Sequence, residues 1–92
     1  MLHAFVLIHA TPARIAALAE ELVDVTGVAE VYSVSGPADL VAIVRVRHHE
    51  DLADVVTKGI DGLEGITSTT TMIAFKAFSR HDLEAMWDVG PA

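Results

Sequence analysis

The sequence predicts an α+β domain: one four-stranded antiparallel sheet with two helices on one of its faces. Three observations lead there. Strand-like apolar stretches alternate with two stretches of helical spacing. The two halves of the chain echo each other. A Gly36-Pro37-Ala38-Asp39 turn joins the two middle strands too tightly for anything but antiparallel neighbours.

The elements follow in order. Leu2 to Ala10 reads as a strand apolar on both alternating sets: Leu2, Ala4, Val6 and Ile8 on one, Phe5 and Leu7 on the other. Thr11-Pro12 reads as an N-cap with proline at the first helical position. Ile15, Leu18, Ala19, Leu22 and Val23 then form an amphipathic stripe, ended at Gly27. A second strand spans Val28 to Ser35 and a third Asp39 to Arg47, whose continuous apolar run predicts a central position. Helical spacing returns at Leu52, Val55, Val56 and Ile60, broken up by Gly59, Gly62 and Gly65. A last long strand begins near Ile66 and continues through Phe75. Ser79 with Asp82 reads as a capping-box variant opening a short helix, with Leu83, Met86 and Trp87 on its apolar side.

Ile15, Leu18, Ala19 and Val23 recur 37 residues later as Leu52, Val55, Val56 and Ile60, and Gly27-Val28 recurs as Gly65-Ile66. Two βαβ units whose second and third strands are antiparallel neighbours must interleave. The predicted fold is therefore ferredoxin-like, βαββαβ, with sheet order 4-1-3-2. Because the first and third strands are apolar on both sides, the face without helices is too greasy for water, and a homodimer joined sheet to sheet is expected.

Composition narrows the function. Ninety-two residues allow a single domain. Six basic against thirteen acidic side chains give a net charge of −7, which disfavours direct nucleic-acid binding. No cysteine is present, removing disulfides, thiolate metal sites and cysteine nucleophiles together. No apolar run approaches the ~18 residues of a membrane helix. The first residues lack a basic n-region and cleavage site, so a cytoplasmic location is the default expectation.

Motifs for catalysis are absent: no nucleophile elbow, zinc-protease helix, P-loop or dinucleotide fingerprint occurs. His48-His49-Glu50-Asp51 fits no common zinc spacing and reads as a solvated helix start. His3 and His9 share one parity of the first strand and read as packed or interface histidines. No metal and no cofactor is expected.

The hydroxyl run Thr67-Ser68-Thr69-Thr70-Thr71 and the turn ending in Asp39 are more informative. Each has a plain structural explanation, since threonine favours strands and glycine and aspartate favour turns. The predicted topology nevertheless brings them to one end of the sheet, with Asp39 and Thr69 about two strand spacings (~10 Å) apart and His9 between them. A carboxylate and several hydroxyls at that separation suit a small zwitterion.

The stretch Val31 to Val41, with Ser35-Gly36, two variable residues and then Asp39 before an apolar run, resembles one motif of a known family. The stretch Gly65-Ile66-Thr67-Ser68-Thr69-Thr70-Thr71-Met72-Ile73 resembles another motif of the same family. Together they are similar to the effector-binding (RAM) domain of Lrp/AsnC transcriptional regulators, over about residues 2 to 78. The resemblance implies a domain at 1–78 followed by a short helix and tail at 79–92. It implies dimerisation through the sheet, assembly into octamers or similar rings, and amino-acid binding where dimers meet. Carried over by position, the effector-binding residues are Ser35, Gly36, Asp39, Thr69 and Thr71, with Ser35 standing where the family often has threonine. Pro37-Ala38 departs from the usual polar-aromatic pair. The first strand starts at residue 2, leaving no room for a helix-turn-helix before it, so a stand-alone domain without its own DNA contact is expected. It would act alone or by co-assembly with a full-length Lrp/AsnC regulator.

The leading expectation is thus a non-enzymatic amino-acid sensor. The alternatives are a dimeric α/β-barrel enzyme of the monooxygenase type with His3 or His9 in a barrel cavity, and an oligomerisation module without a ligand.

Overall fold

The computed structural model describes residues 1–80. The order is β1 (Leu2–Ala10), a 3-10 turn (Pro12–Arg14), α1 (Ile15–Val23), β2 (Val28–Ser33), β3 (Leu40–Val46), α2 (His49–Asp54) and β4 (Ile66–Ile73). The helix α2 runs directly into a π-helical stretch, Val55–Ile60. The sheet order is β2-β3-β1-β4 with every neighbour antiparallel, which is the predicted order counted from the other edge. The helix expected from Ser79, carrying Leu83, Met86 and Trp87, lies outside the described residues.

The core is the helix-facing side of the sheet. Ala4, Val6 and Ile8 of β1 and Leu40, Ala42 and Val44 of β3 are at most 1% exposed, closed over by Leu18 and Leu22 of α1 and by Leu52, Val55 and Ile60. The even-numbered residues of both central strands thus face the helices, as period-2 alternation requires.

The internal echo is real in the backbone. Gly27 and Gly65 sit just before β2 and β4 with φ of +98° and +97°, a region that penalises any side chain. Each gives its carbonyl to a neighbouring strand end, Gly27 to the Arg45 N–H at 2.9 Å and Gly65 to the Thr11 N–H at 2.8 Å. Each sits beside a register shift in its strand pair.

Three local expectations are corrected. β2 ends at Ser33, two residues early, because Val34 already begins the hairpin by donating its N–H to the Asp39 carbonyl at 3.1 Å. Thr11 precedes a proline-led 3-10 turn, but its hydroxyl caps nothing. Gly59 does not break the second helix. It lies inside the wide π turn, where a Cβ would come within 2.5 Å of Val25 Cγ1, so its bareness allows helix and loop to touch. The Thr57 hydroxyl donates back to the Ala53 carbonyl at 2.7 Å in the same stretch, an arrangement that bends helices.

Candidate functional site

The turn and the threonine strand do meet at one end of the sheet. Residues Ser35, Gly36 and Pro37 form the exposed tip of the β2–β3 hairpin. Gly36 adopts φ +122° with open space where a side chain would stand, so the loop needs glycine for its backbone and not for packing. Ala38 is buried at 4% exposure and anchors the base of the loop.

Asp39 is tied into the sheet on three sides. Its N–H donates to the Ile8 carbonyl at 2.9 Å, and its own carbonyl accepts from Val34. Its carboxylate Oδ2 accepts the Ala10 N–H at 2.9 Å. The last β1–β3 backbone pair is Ile8 with Leu40, so a side chain takes over as acceptor where the ladder runs out. This structural duty was not visible in the sequence, which presents Asp39 only as a turn acid. It leaves Oδ1 as the oxygen that a ligand cation could meet.

The strand register locates the hydroxyls. Thr69 pairs with Ile8 and Thr71 with Val6, so both stand on the helix side of the sheet. Ser68 pairs with His9 and Thr70 with Leu7, on the opposite side. The row Leu40–Ile8–Thr69 crosses three strands, setting Thr69 about 10 Å from the start of β3. His9 therefore does not share the side of the sheet on which Thr69 stands, because its parity places it with Ser68. Thr69 is half-buried, whereas Thr71, Ser35 and Gly36 are exposed. The five proposed residues thus share one end of the sheet, with Thr71 one step further along β4.

One residue at this end was missed by sequence reasoning. Arg14 bonds both carboxylate oxygens of Glu21, at 2.9 and 3.1 Å, and reaches the Glu64 carbonyl through Nε at 3.3 Å. A Cβ on Gly65 would lie 2.8 Å from the Arg14 Cβ. Arg14 thereby fixes α1 to the loop that launches the threonine strand. The i, i+7 spacing of Arg14 and Glu21 on one helix face was the available signal.

Elsewhere, a cleft of about 680 Å³ lies at the opposite end of the sheet, floored by Val25, Val46 and Val55 and edged by Asp51, Asp54 and Lys58. None of the five proposed residues lines it, and neither does His3 or His9. His48, His49, Glu50 and Asp51 are exposed at the start of α2. Among the described residues no group of three or more histidines and carboxylates is placed to hold a metal, and no helix is long and apolar enough to cross a membrane.

The side of the sheet away from the helices is the bare one that the alternation predicted. Two rows cross all four strands there, Glu30–Ile43–Phe5–Met72 and Tyr32–Val41–Leu7–Thr70, with Arg45 opposite His3 beyond them. Phe5, Tyr32 and Met72 are 37%, 50% and 48% exposed. In one corner the Tyr32 hydroxyl donates to the Glu30 carboxylate, and Arg45 bridges the same carboxylate at 3.1 Å. The Tyr32 hydrogen bond, and after it Arg45, hold Glu30 below its ordinary value of 4.5. The same bond to Glu30, reinforced by that residue's negative charge, holds the Tyr32 phenol above its ordinary 10.0.

A domain of this topology is found among known proteins. Residues 3–83 match the family model of the Lrp/AsnC ligand binding domain, and the chain belongs to that family. Among individual relatives, it is 32% identical over 73 residues to the HTH-type transcriptional regulator FL11 of Pyrococcus furiosus. That match covers 79% of this chain and 48% of FL11, so the chain spans about half the length of this curated relative. The crystal structure of TTHA0845 from Thermus thermophilus is 52% identical, with a TM-score of 0.82, covering 87% of this chain and all of that one. A feast or famine regulatory protein from M. tuberculosis, solved in complex with L-methionine, is 28% identical with a TM-score of 0.73, covering 86% of this chain and 53% of that one.

Proposed function

We propose that this protein is a non-enzymatic sensor of amino acids that acts by self-association and takes part in transcriptional or metabolic regulation. The observation that carries the reading is the end of the sheet where Asp39, the Ser35-Gly36 hairpin and the Thr69–Thr71 stretch converge within a Lrp/AsnC ligand-binding domain. The ligand's ammonium group is read by Asp39 Oδ1, and its carboxylate by the hydroxyls of Ser35, Thr69 and Thr71 and the amide of Gly36. The relative from M. tuberculosis that was solved with L-methionine supports an amino acid as the ligand class.

The apolar side of the sheet away from the helices pairs with its like in a second copy, and dimers join into an octamer or similar ring with the ligand at the seams between dimers. A ligand so placed drives assembly only by its greater affinity for the assembled state. The excess of acidic over basic residues argues against direct contact with nucleic acid. A full-length Lrp/AsnC regulator is the fitting heterologous partner, and the cytoplasm the fitting location. The enzyme alternative required a cavity lined by His3 or His9, and neither histidine is among the residues lining the cleft beside Val46, although His3 pairs with Arg45 at its edge.

The test must separate ligand chemistry from the ladder bond that Asp39 makes. Asp39→Asn keeps an oxygen for the Ala10 N–H and removes the charge, whereas Asp39→Ala removes both. Calorimetric titration with each of the twenty amino acids is expected to show at least one ligand for the wild type and none for Asp39→Asn, whose melting temperature stays close to wild type. Binding undiminished in Asp39→Asn overturns the site assignment, and silence across all twenty leaves a ligand-free oligomerisation module.

A further inference from the structure

The Glu30, Tyr32 and Arg45 cluster on the open side of the sheet serves neither the core nor the proposed ligand site. It is continuous with the apolar rows: Glu30 stands beside Ile43 and Phe5, Tyr32 beside Val41 and Leu7, and Arg45 opposite His3. Arg45 and Glu30 are 43% and 41% exposed, and an ion pair that wet contributes little to a single chain. Its geometry is nonetheless complete, since one carboxylate takes both a phenol and a guanidinium.

We infer that this cluster is the element that sets how two copies of the chain meet, a charge-neutral polar corner assembled in advance within each chain and dehydrated only when the sheets pair. The inference rests on the face-to-face pairing proposed above. The occupant it fits is a second copy, for an electrostatic reason. In a two-fold contact, whatever one copy presents the other presents as well. An unpaired acid or base would therefore bring a second like charge into the same seam. A corner neutralised within its own chain adds none, and it equally offers a charged foreign partner nothing to neutralise. Once water is excluded the pair also becomes unforgiving, because removing one member strands the other as a buried charge, whereas removing both does not.

That asymmetry supplies the experiment, sedimentation equilibrium on the full 92-residue chain. Arg45→Met is expected to raise the dissociation constant at least ~10-fold by stranding Glu30, and Glu30→Gln/Arg45→Met to return it to within ~3-fold of wild type. Circular dichroism melts at a dilution where every variant is a single chain are expected to coincide, showing that the fold itself is untouched. If the wild type associates and Arg45→Met associates equally well, or if the double variant is as weak as the single one, the cluster does not direct pairing and the inference falls alone. If the wild type stays a single chain up to millimolar concentration, the face-to-face reading falls and takes the inference with it.

Discussion

The two sides of the sheet are made from the same strands yet live under different rules. On the helix side, Ala4, Val6, Ile8, Leu40, Ala42 and Val44 are all but sealed from water by the two helices. One residue along in each strand, Phe5, Leu7, Val41 and Ile43 are comparably greasy yet remain half-buried or exposed. The difference teaches that hydrophobic pattern alone does not say which core a residue belongs to. The first side is closed by chain connectivity and is filled whenever the chain folds. The second is the side through which we propose that two copies pair, and it is where a polar cluster interrupts the apolar rows.

That contrast can be broken most severely at Ile8. Ile8→Ala leaves a void in the fully closed core and is expected to cost about 2–5 kcal/mol of folding stability, read from urea denaturation at fixed protein concentration. A loss under about 1 kcal/mol would mean that this side is not the core. The complementary change on the other side is Leu7→Lys, at a position flanked by Val41 and Thr70. It is expected to leave the circular dichroism spectrum unchanged while weakening self-association by ~100-fold or more, since the ammonium group would have to be buried unpaired. An unchanged sedimentation coefficient would place the seam elsewhere. The gentlest probe is pH. Glu30 is held below its ordinary 4.5, so its contribution is present above that value and fades as pH falls through the lower folded value. Tyr32 is held above 10.0, so its contribution is present below that value and fades as pH rises through the higher folded one. A carboxyl NMR titration should show Glu30 protonating below the ordinary range in the wild type and closer to 4.5 in Tyr32→Phe. Identical titrations in the two proteins would show that the phenol bond does not persist in solution.

Much of this architecture was legible from residue spacing. The order of strands and helices followed from periodicity, and the interleaving of the two βαβ units followed from one short turn. The bare side was visible because Phe5 and Leu7 fill the odd positions of β1 as apolar residues. What escaped were features that depend on three-dimensional closure. The π turn arises where Gly59 meets Val25, residues from separate segments. The Asp39 carboxylate finds the Ala10 N–H 29 positions away, and no local pattern announces it. The hydroxyl run looked like one surface, yet a strand sends Thr69 and Thr71 to one side and Ser68 and Thr70 to the other. That the candidate residues gather at one end of the sheet was therefore readable, but not which side of the sheet each hydroxyl takes. Pro37-Ala38 departs from the polar-aromatic pair that the family resemblance implies, and the structure shows Ala38 buried at the base of the hairpin.

On the proposed reading Asp39 serves both the ligand and the sheet, and that double duty constrains how this chain can change. An acid that also terminates a strand ladder cannot be exchanged freely for a base or an apolar residue when ligand preference drifts. Such a swap would unfasten the end of β1 from the hairpin in the same stroke. On that reading, variation in selectivity is channelled to the exposed tip at Ser35 and Pro37 and to the outer rim of β4. The recognised molecule can be retuned there without reopening the question of how the sheet ends.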